Sequence, residues 1–165
     1  MTEPCPGCGL RLSPVDGPVD PYAGSSAACW ALFGQVRLAQ YAEPEANGQL
    51  AVDAYMAQHP GYATAAGRRS VLVHLAGLFL AFERSMPASF VTQALGRVLP
   101  GKPDVPALLP VPPSYGVTVA FARDATGPDD RRARVEQWAR DVWRSWGAHH
   151  EHVADVVRAS GLPAL

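Results

Sequence analysis

The chain has 165 residues, 48% of them hydrophobic, and a formal net charge of −1 at neutral pH. That length suits one domain whose core can stand without disulfides, and the near-zero charge excludes a surface built for nucleic acid or an anionic membrane. Three cysteines, two of them in a single CxxC, are too few for a disulfide framework and point to reduced thiols, as in the cytoplasm.

Residues 1–22 read as an irregular arm rich in proline and glycine around Cys5-Pro6-Gly7-Cys8-Gly9. The opening Met1-Thr2-Glu3-Pro4 has neither a basic patch nor an apolar run, so no signal peptide is expected. Two thiolates at this spacing bite one soft cation, and Pro6-Gly7 sets the tight turn that aims both sulfurs at one point. A thioredoxin-type redox pair is the alternative. That use places the CxxC after a strand and at the start of a helix, and no strand is expected before this one. With no second CxxC, a closed zinc site must draw its remaining ligands from distant segments. The donors on offer are Cys29, His59, His74, His149, His150 and His152.

A helix is expected to start at Ser25 or Ser26, either of which can cap free amides of the first turn. Its inward side carries Cys29, Leu32, Phe33 and Val36, with Trp30 at the flank. A second helix runs from about Gln49 to His59 and stops there, because Pro60 disfavours a helical residue before it. Val52, Tyr55, Met56 and His59 share its buried face. Asp53 lies near the shoulder, either as a solvated carboxylate or as a base or support for a ligand histidine.

The third helix, about Arg69 to Arg84, is apolar on nearly every side and reads as the central element. His74 is its one polar intrusion, in a stripe of small residues formed with Ser70, Gly77 and Ala81. The apolar run from Val71 to Phe82 is shorter than the ~20 residues a membrane span requires. Met86 to Val98 predicts a shorter helix, and the dense prolines from Leu99 to Ser114 predict an extended connection. Tyr115 to Phe121 has strand character but no visible partner strand.

Pro128 to about Ala159 predicts a long amphipathic helix. Val135, Trp138, Ala139, Val142, Trp146, Val153, Val156 and Val157 form its inner stripe, while Arg140, Arg144, Glu151 and Asp155 face water. Three tryptophans on one helix mean core rather than a pocket. His149 and His150 straddle the inner stripe, where imidazoles need something to satisfy their ring nitrogens. The fold class expected is all-α: a four- to five-helix bundle with an irregular N-terminal zinc-knuckle arm. It forms one metal-binding helical domain, with the arm over 1–22, helices over 23–98, a proline-rich connection over 99–127 and the long helix over 128–160.

The motifs are the knuckle, Cys29-Trp30, Asp53-x-Tyr55-x-x-Gln58-His59-Pro60, His74-Leu75 and Trp146-x-x-His149-His150. In these the chain resembles, over essentially its whole length, a bacterial family of unknown function whose members open with CPGCG. The resemblance implies that these cysteine, aspartate and histidine positions form a shared site. Members often carry a histidine before the Pro-Tyr of the arm, where this chain has Asp20, and another early in the second helix, at Gly48-Gln49-Leu50. Those two positions are therefore not expected to supply essential ligands.

Two functions follow. In the first, Cys5 and Cys8 hold Zn²⁺ with ligands from Cys29, His74, His149 and His150, and an open position carries a water for chemistry on a small-molecule substrate. Asp53 and His59 then serve as catalytic proton carriers or supports. In the second, a closed Cys/His site staples the arm to a helical bundle that offers a partner or regulatory surface. No Gly-rich phosphate loop, nucleophile elbow or HExxH is present.

Overall fold

The computed structural model describes residues 1–43, 47–98 and 109–160. Strands β1 (Glu3–Pro4) and β2 (Arg11–Leu12) pair antiparallel, Glu3 opposite Leu12 and Pro4 opposite Arg11. The arm expected to be irregular is thus a hairpin at its base, with the CxxC as its loop. Cys5 N–H donates to the Leu10 carbonyl at 2.8 Å and Gly9 N–H to the Cys5 carbonyl at 2.9 Å. Gly9 closes the loop at φ 75°, a left-handed conformation that a residue without Cβ adopts readily.

The first three helices start at side-chain caps. Helix α1 (Ala27–Tyr41) opens on Ser26, whose hydroxyl accepts from Cys29 N–H at 3.2 Å. Helix α2 (Gly48–Gln58) opens on Asn47, which accepts from Leu50 N–H at 3.0 Å. Helix α3 (Ala65–Phe82) begins about one turn before the expected Arg69, because Thr64 accepts from Gly67 N–H at 3.0 Å and satisfies an amide there. Helix α4 (Ala88–Val98) follows.

Of the proline-rich connection, residues 99–108 lie outside the described residues, and residues 109–118 contain no helix or strand. The strand character read into Tyr115–Phe121 is not realised. Helix α5 (Val119–Arg123) occupies its end instead, packed on α1 with Val119 and Ala122 buried. β-branched residues take the conformation their packing partners allow, and among the described residues no neighbouring strand is available to reward an extended one.

The long C-terminal helix is broken in two. Helix α6 (Pro128–Ser145) has Pro128 in its first turn, where the absent N–H is no loss, and Asp129 and Asp130 beside it. A 3₁₀ turn over Gly147–His149 separates it from α7 (His150–Ala159). Gly147, a weak helix former, sits at the break. The Trp146 indole N–H is committed to the Ala57 carbonyl at 3.1 Å, which fixes the chain there.

The result is all-α apart from the small hairpin, with seven α-helices among the described residues. Helix α3 is the central element: it packs against α2, α4, α6 and α7, and Val71–Val73, Leu75–Leu80 are buried. By length and composition α3 could cross a membrane, yet more than half of it is buried inside the fold, as in a core helix. Trp138, Trp143 and Trp146 are core residues with their indole nitrogens satisfied by Gln58, Glu83 and Ala57.

Candidate metal centre

Helix α2 ends where the sequence predicts. His59 leaves helical conformation at φ −124° and ψ 64°, the extended form that a following proline favours. Beyond it Pro60 forms an isolated antiparallel bridge with Ala23, and Gly24 N–H donates to the His59 carbonyl at 2.9 Å. The end of the arm is thereby tied to the end of α2. Three residues after Gly24 the chain enters α1, whose first turn carries Cys29.

Three segments remote in sequence meet at this point. The donor atoms of Cys5, Cys8, Cys29 and His59 all lie within 4.8 Å of one another. Cys8 Sγ stands 3.9 Å from Cys29 Sγ, and Cys29 Sγ 3.3 Å from His59 Nε2. Tetrahedral bond lengths of ~2.3 Å to sulfur and ~2.05 Å to nitrogen require edges of about 3.8 Å and about 3.6 Å. The Cys8–Cys29 and Cys29–His59 separations lie within about 0.3 Å of those edges. Cys5, Cys29 and His59 are buried and Cys8 is partly so.

The surroundings hold each donor in place. His59 Nδ1 donates to the Tyr55 carbonyl at 2.8 Å, one turn back on the same helix. This leaves Nε2 as the nitrogen turned toward the sulfurs, the usual outer-shell arrangement of a ligand histidine. The imidazole is stacked on Tyr55 with ring centroids 4.0 Å apart, and Tyr55 on Phe33 at 4.1 Å. Ser26 N–H points at Cys5 Sγ at 3.4 Å, a contact that favours a thiolate. Gly7 lets the histidine lie against the turn, since a Cβ there would stand 2.6 Å from His59 Cδ2.

Crowding the donors together separates their acidities. Hydrogen bonds from Cys29 and then Cys8 pull the Cys5 thiol far below its ordinary range, against burial. Cys29 is pushed far up by its hydrogen bonds to Cys5 and Cys8 and by burial. Burial draws His59 down, but hydrogen bonds to Cys5 and Cys8 outweigh it and lift the imidazole to about 9. Negative charge concentrated on sulfur is what a cation would neutralise in place of protons.

The structure sorts the remaining candidates differently from the sequence reading. His59, expected as a proton carrier, occupies the fourth corner of the cluster, while three expected ligands lie elsewhere. His74 is bonded through Nδ1 to Asp53 Oδ1 at 2.8 Å. His149 Nε2 donates to the Pro110 carbonyl at 3.1 Å. His150 Nε2 donates to the Trp143 carbonyl at 2.9 Å, with its ring 3.6 Å from the Trp143 ring and nearly parallel to it. The physical reason is the helix break after Trp146, which turns His150 back onto the end of α6 and His149 onto the segment before α5. Asp53 is not solvated: it is buried, and burial raises its carboxyl against the lowering effect of His74 and Gln49. One signal for His59 was available, an inward-facing histidine directly before a proline that ends its helix.

No curated protein and no solved structure matches this chain. A family of unknown function, DUF5946, matches residues 3–147, a span that holds all four donors, and the chain belongs to that family.

Proposed function

We propose that the protein is a zinc protein in which Cys5, Cys8, Cys29 and His59 hold one Zn²⁺ in a closed site that staples the N-terminal hairpin to the helical bundle. The observation that carries this is the His59 geometry: Nδ1 is spent on the Tyr55 carbonyl, and Nε2 lies 3.3 Å from Cys29 Sγ and within 4.8 Å of the other two sulfurs. Four protein donors leave no vertex for water, and sulfur-rich sites of this kind are structural. The arm has need of such a tie, for Cys5 is the one buried residue among positions 1–22. Thiolates reserved for a metal suit a reducing compartment such as the cytoplasm.

An enzyme that activates water on this zinc would require one of the four donors to be displaced. The closed reading therefore makes a spectroscopic prediction. Cobalt-substituted protein should show the intense ligand-field bands of a tetrahedral thiolate-rich site, unchanged by azide. Purified protein should carry one zinc per chain, lost in Cys29→Ser and in His59→Ala and retained in His74→Ala. Bands that shift on adding azide would reveal an open vertex and refute the closed site. Full zinc occupancy in His59→Ala would remove His59 from it.

A further inference from the structure

A second polar cluster lies within the bundle and shares no residue with the sulfur cluster. Asp53 on α2 is only 1% exposed, and its Oδ1 accepts from Gln49 Nε2 at 2.8 Å and from His74 Nδ1 at 2.8 Å. The Thr92 hydroxyl on α4 lies 3.3 Å from Gln49 Oε1, so the network links α2, α3 and α4. Room for the carboxylate comes from Gly77, where a Cβ would stand 2.2 Å from Asp53 Oδ2. Burying a carboxylate to hold one imidazole is expensive if the imidazole only fills space.

His74 does not only fill space. Its side chain is 17% exposed and borders a cavity of about 580 Å³ between α2, α3, α4 and the arm. Tyr22, Gln49, Arg69, Ser70 and Thr92 supply the polar part of the wall, and Val73 and Leu95 part of the rest. That volume is the size of a small-molecule site, with few polar groups converging on an otherwise apolar surface. Arg69 has no carboxylate partner among the described residues, so its guanidinium can pair with an anion in the cavity. With Nδ1–H given to Asp53, the free lone pair of His74 belongs to Nε2.

We propose that this cavity binds a small molecule bearing a carboxylate or phosphate, with Arg69 as its counter-charge and His74 as the base that takes a proton from it. The proton comes from a hydroxyl of the ligand beside the anionic group, which Arg69 holds already ionised: that O–H bond breaks and its electron pair stays on oxygen. The proton goes to His74 Nε2, and the imidazolium so formed is held against the Asp53 carboxylate. Asp53 is a positioning residue: it sets the tautomer and orientation of His74, as an aspartate does in a catalytic triad. Guanidinium recognition of an oxyanion fits either ligand class. The proposal stands apart from the zinc reading and does not need it.

The test uses nitrogen-15 spectra of the histidine side chains in full-length, metal-replete protein at neutral pH, titrated separately with inorganic phosphate and with acetate. His74 should appear as the neutral Nδ1–H tautomer, and one or both anions should shift its Nε2 resonance in a saturable way. Phosphate acting alone would assign a phosphate ligand, and acetate acting alone a carboxylate. Arg69→Met should weaken that binding at least about tenfold, the loss of one charge-assisted pair. Asp53→Asn should convert His74 to the Nε2–H tautomer, because the amide donates where the carboxylate accepted. If Asp53→Asn does not fold, the wild-type tautomer and Arg69→Met carry the test. An Nε2–H tautomer in the wild type would overturn the proposal. So would the failure of both anions to move His74 at tens of millimolar, or unchanged affinity in Arg69→Met.

Discussion

His59 answers to two neighbours at once, and this is why one residue can join the arm to α2. Its Nδ1 is held by a carbonyl of its own helix and its Nε2 by sulfurs from two other segments. The ring also lies against Gly7, where any Cβ would come within 2.8 Å of His59 Cα as well as 2.6 Å of Cδ2. Backbone of this kind cannot swing aside as the far end of a long side chain can. Gly7→Ala should therefore push the thiol turn away from His59, costing about 1–3 kcal/mol and weakening metal retention. Thermal melts and competition with a metallochromic chelator would read both, and a variant that matches the wild type in both would contradict the packing argument. Asp20 and Gln49 lie outside the cluster, as expected of positions without an essential ligand. Asp20 Oδ1 accepts from Tyr22 N–H at 2.8 Å, and Gln49 supports Asp53.

At the scale of elements, the end of α2 is where the fold concentrates its buried polar bonds. Gln58 accepts from the Trp138 indole N–H at 3.1 Å and donates to the Val117 carbonyl at 2.8 Å, which ties α6 and the segment before α5 to α2. Ala57, next to it, receives Trp146. Gln58→Leu would keep the volume and leave a buried indole N–H and a carbonyl without partners. The expected loss is about 2–4 kcal/mol, since each orphaned group bears its full desolvation penalty. Urea denaturation would measure it, and a loss below about 0.5 kcal/mol would mean the bonds are replaced by others. The same tethers explain why α6 and α7 are separate helices. Trp146 is anchored before Gly147, so the chain turns rather than continuing straight.

Across the whole molecule, the hairpin depends on the body far more than the body depends on the hairpin. Helix α3 and its neighbours bury a continuous apolar core, whereas the arm contributes little beyond Cys5 to it. If the proposed metal is bound, removing it with a chelator should therefore lower thermal stability by about a few kcal/mol without dissolving the helices. Hydrogen exchange should show the distribution: amides of residues 3–12 exchange freely in the metal-free protein, while those of α3 stay protected. Equal protection of the arm with and without metal would show that the staple is not what holds it.

Much of this was legible in the residues themselves. The CPGCG turn, the serine cap before α1, the inward side of α1 with Cys29 upon it and the stop of α2 before Pro60 are all local. Each follows from spacing and backbone chemistry over a few residues. The tryptophan stripe and the apolar α3 likewise announced a helical core, because a face of 3.6-residue period must be buried somewhere. The histidines could not be sorted that way. His59, His74, His149 and His150 all lie on or near inward faces, and periodicity says only that each turns inward, not toward what.

The sequence by itself determined that this is a helical protein with a thiolate pair in search of two further ligands. Only the tertiary structure decided which residues lie beside that pair, since that depends on the Ala23–Pro60 bridge laying the arm across the end of α2 and the start of α1. It likewise separated His74 from the sulfurs by giving it a buried carboxylate, Asp53, on the neighbouring helix. A ligand set is a matter of distances between segments, and those distances exist only once the helices have packed.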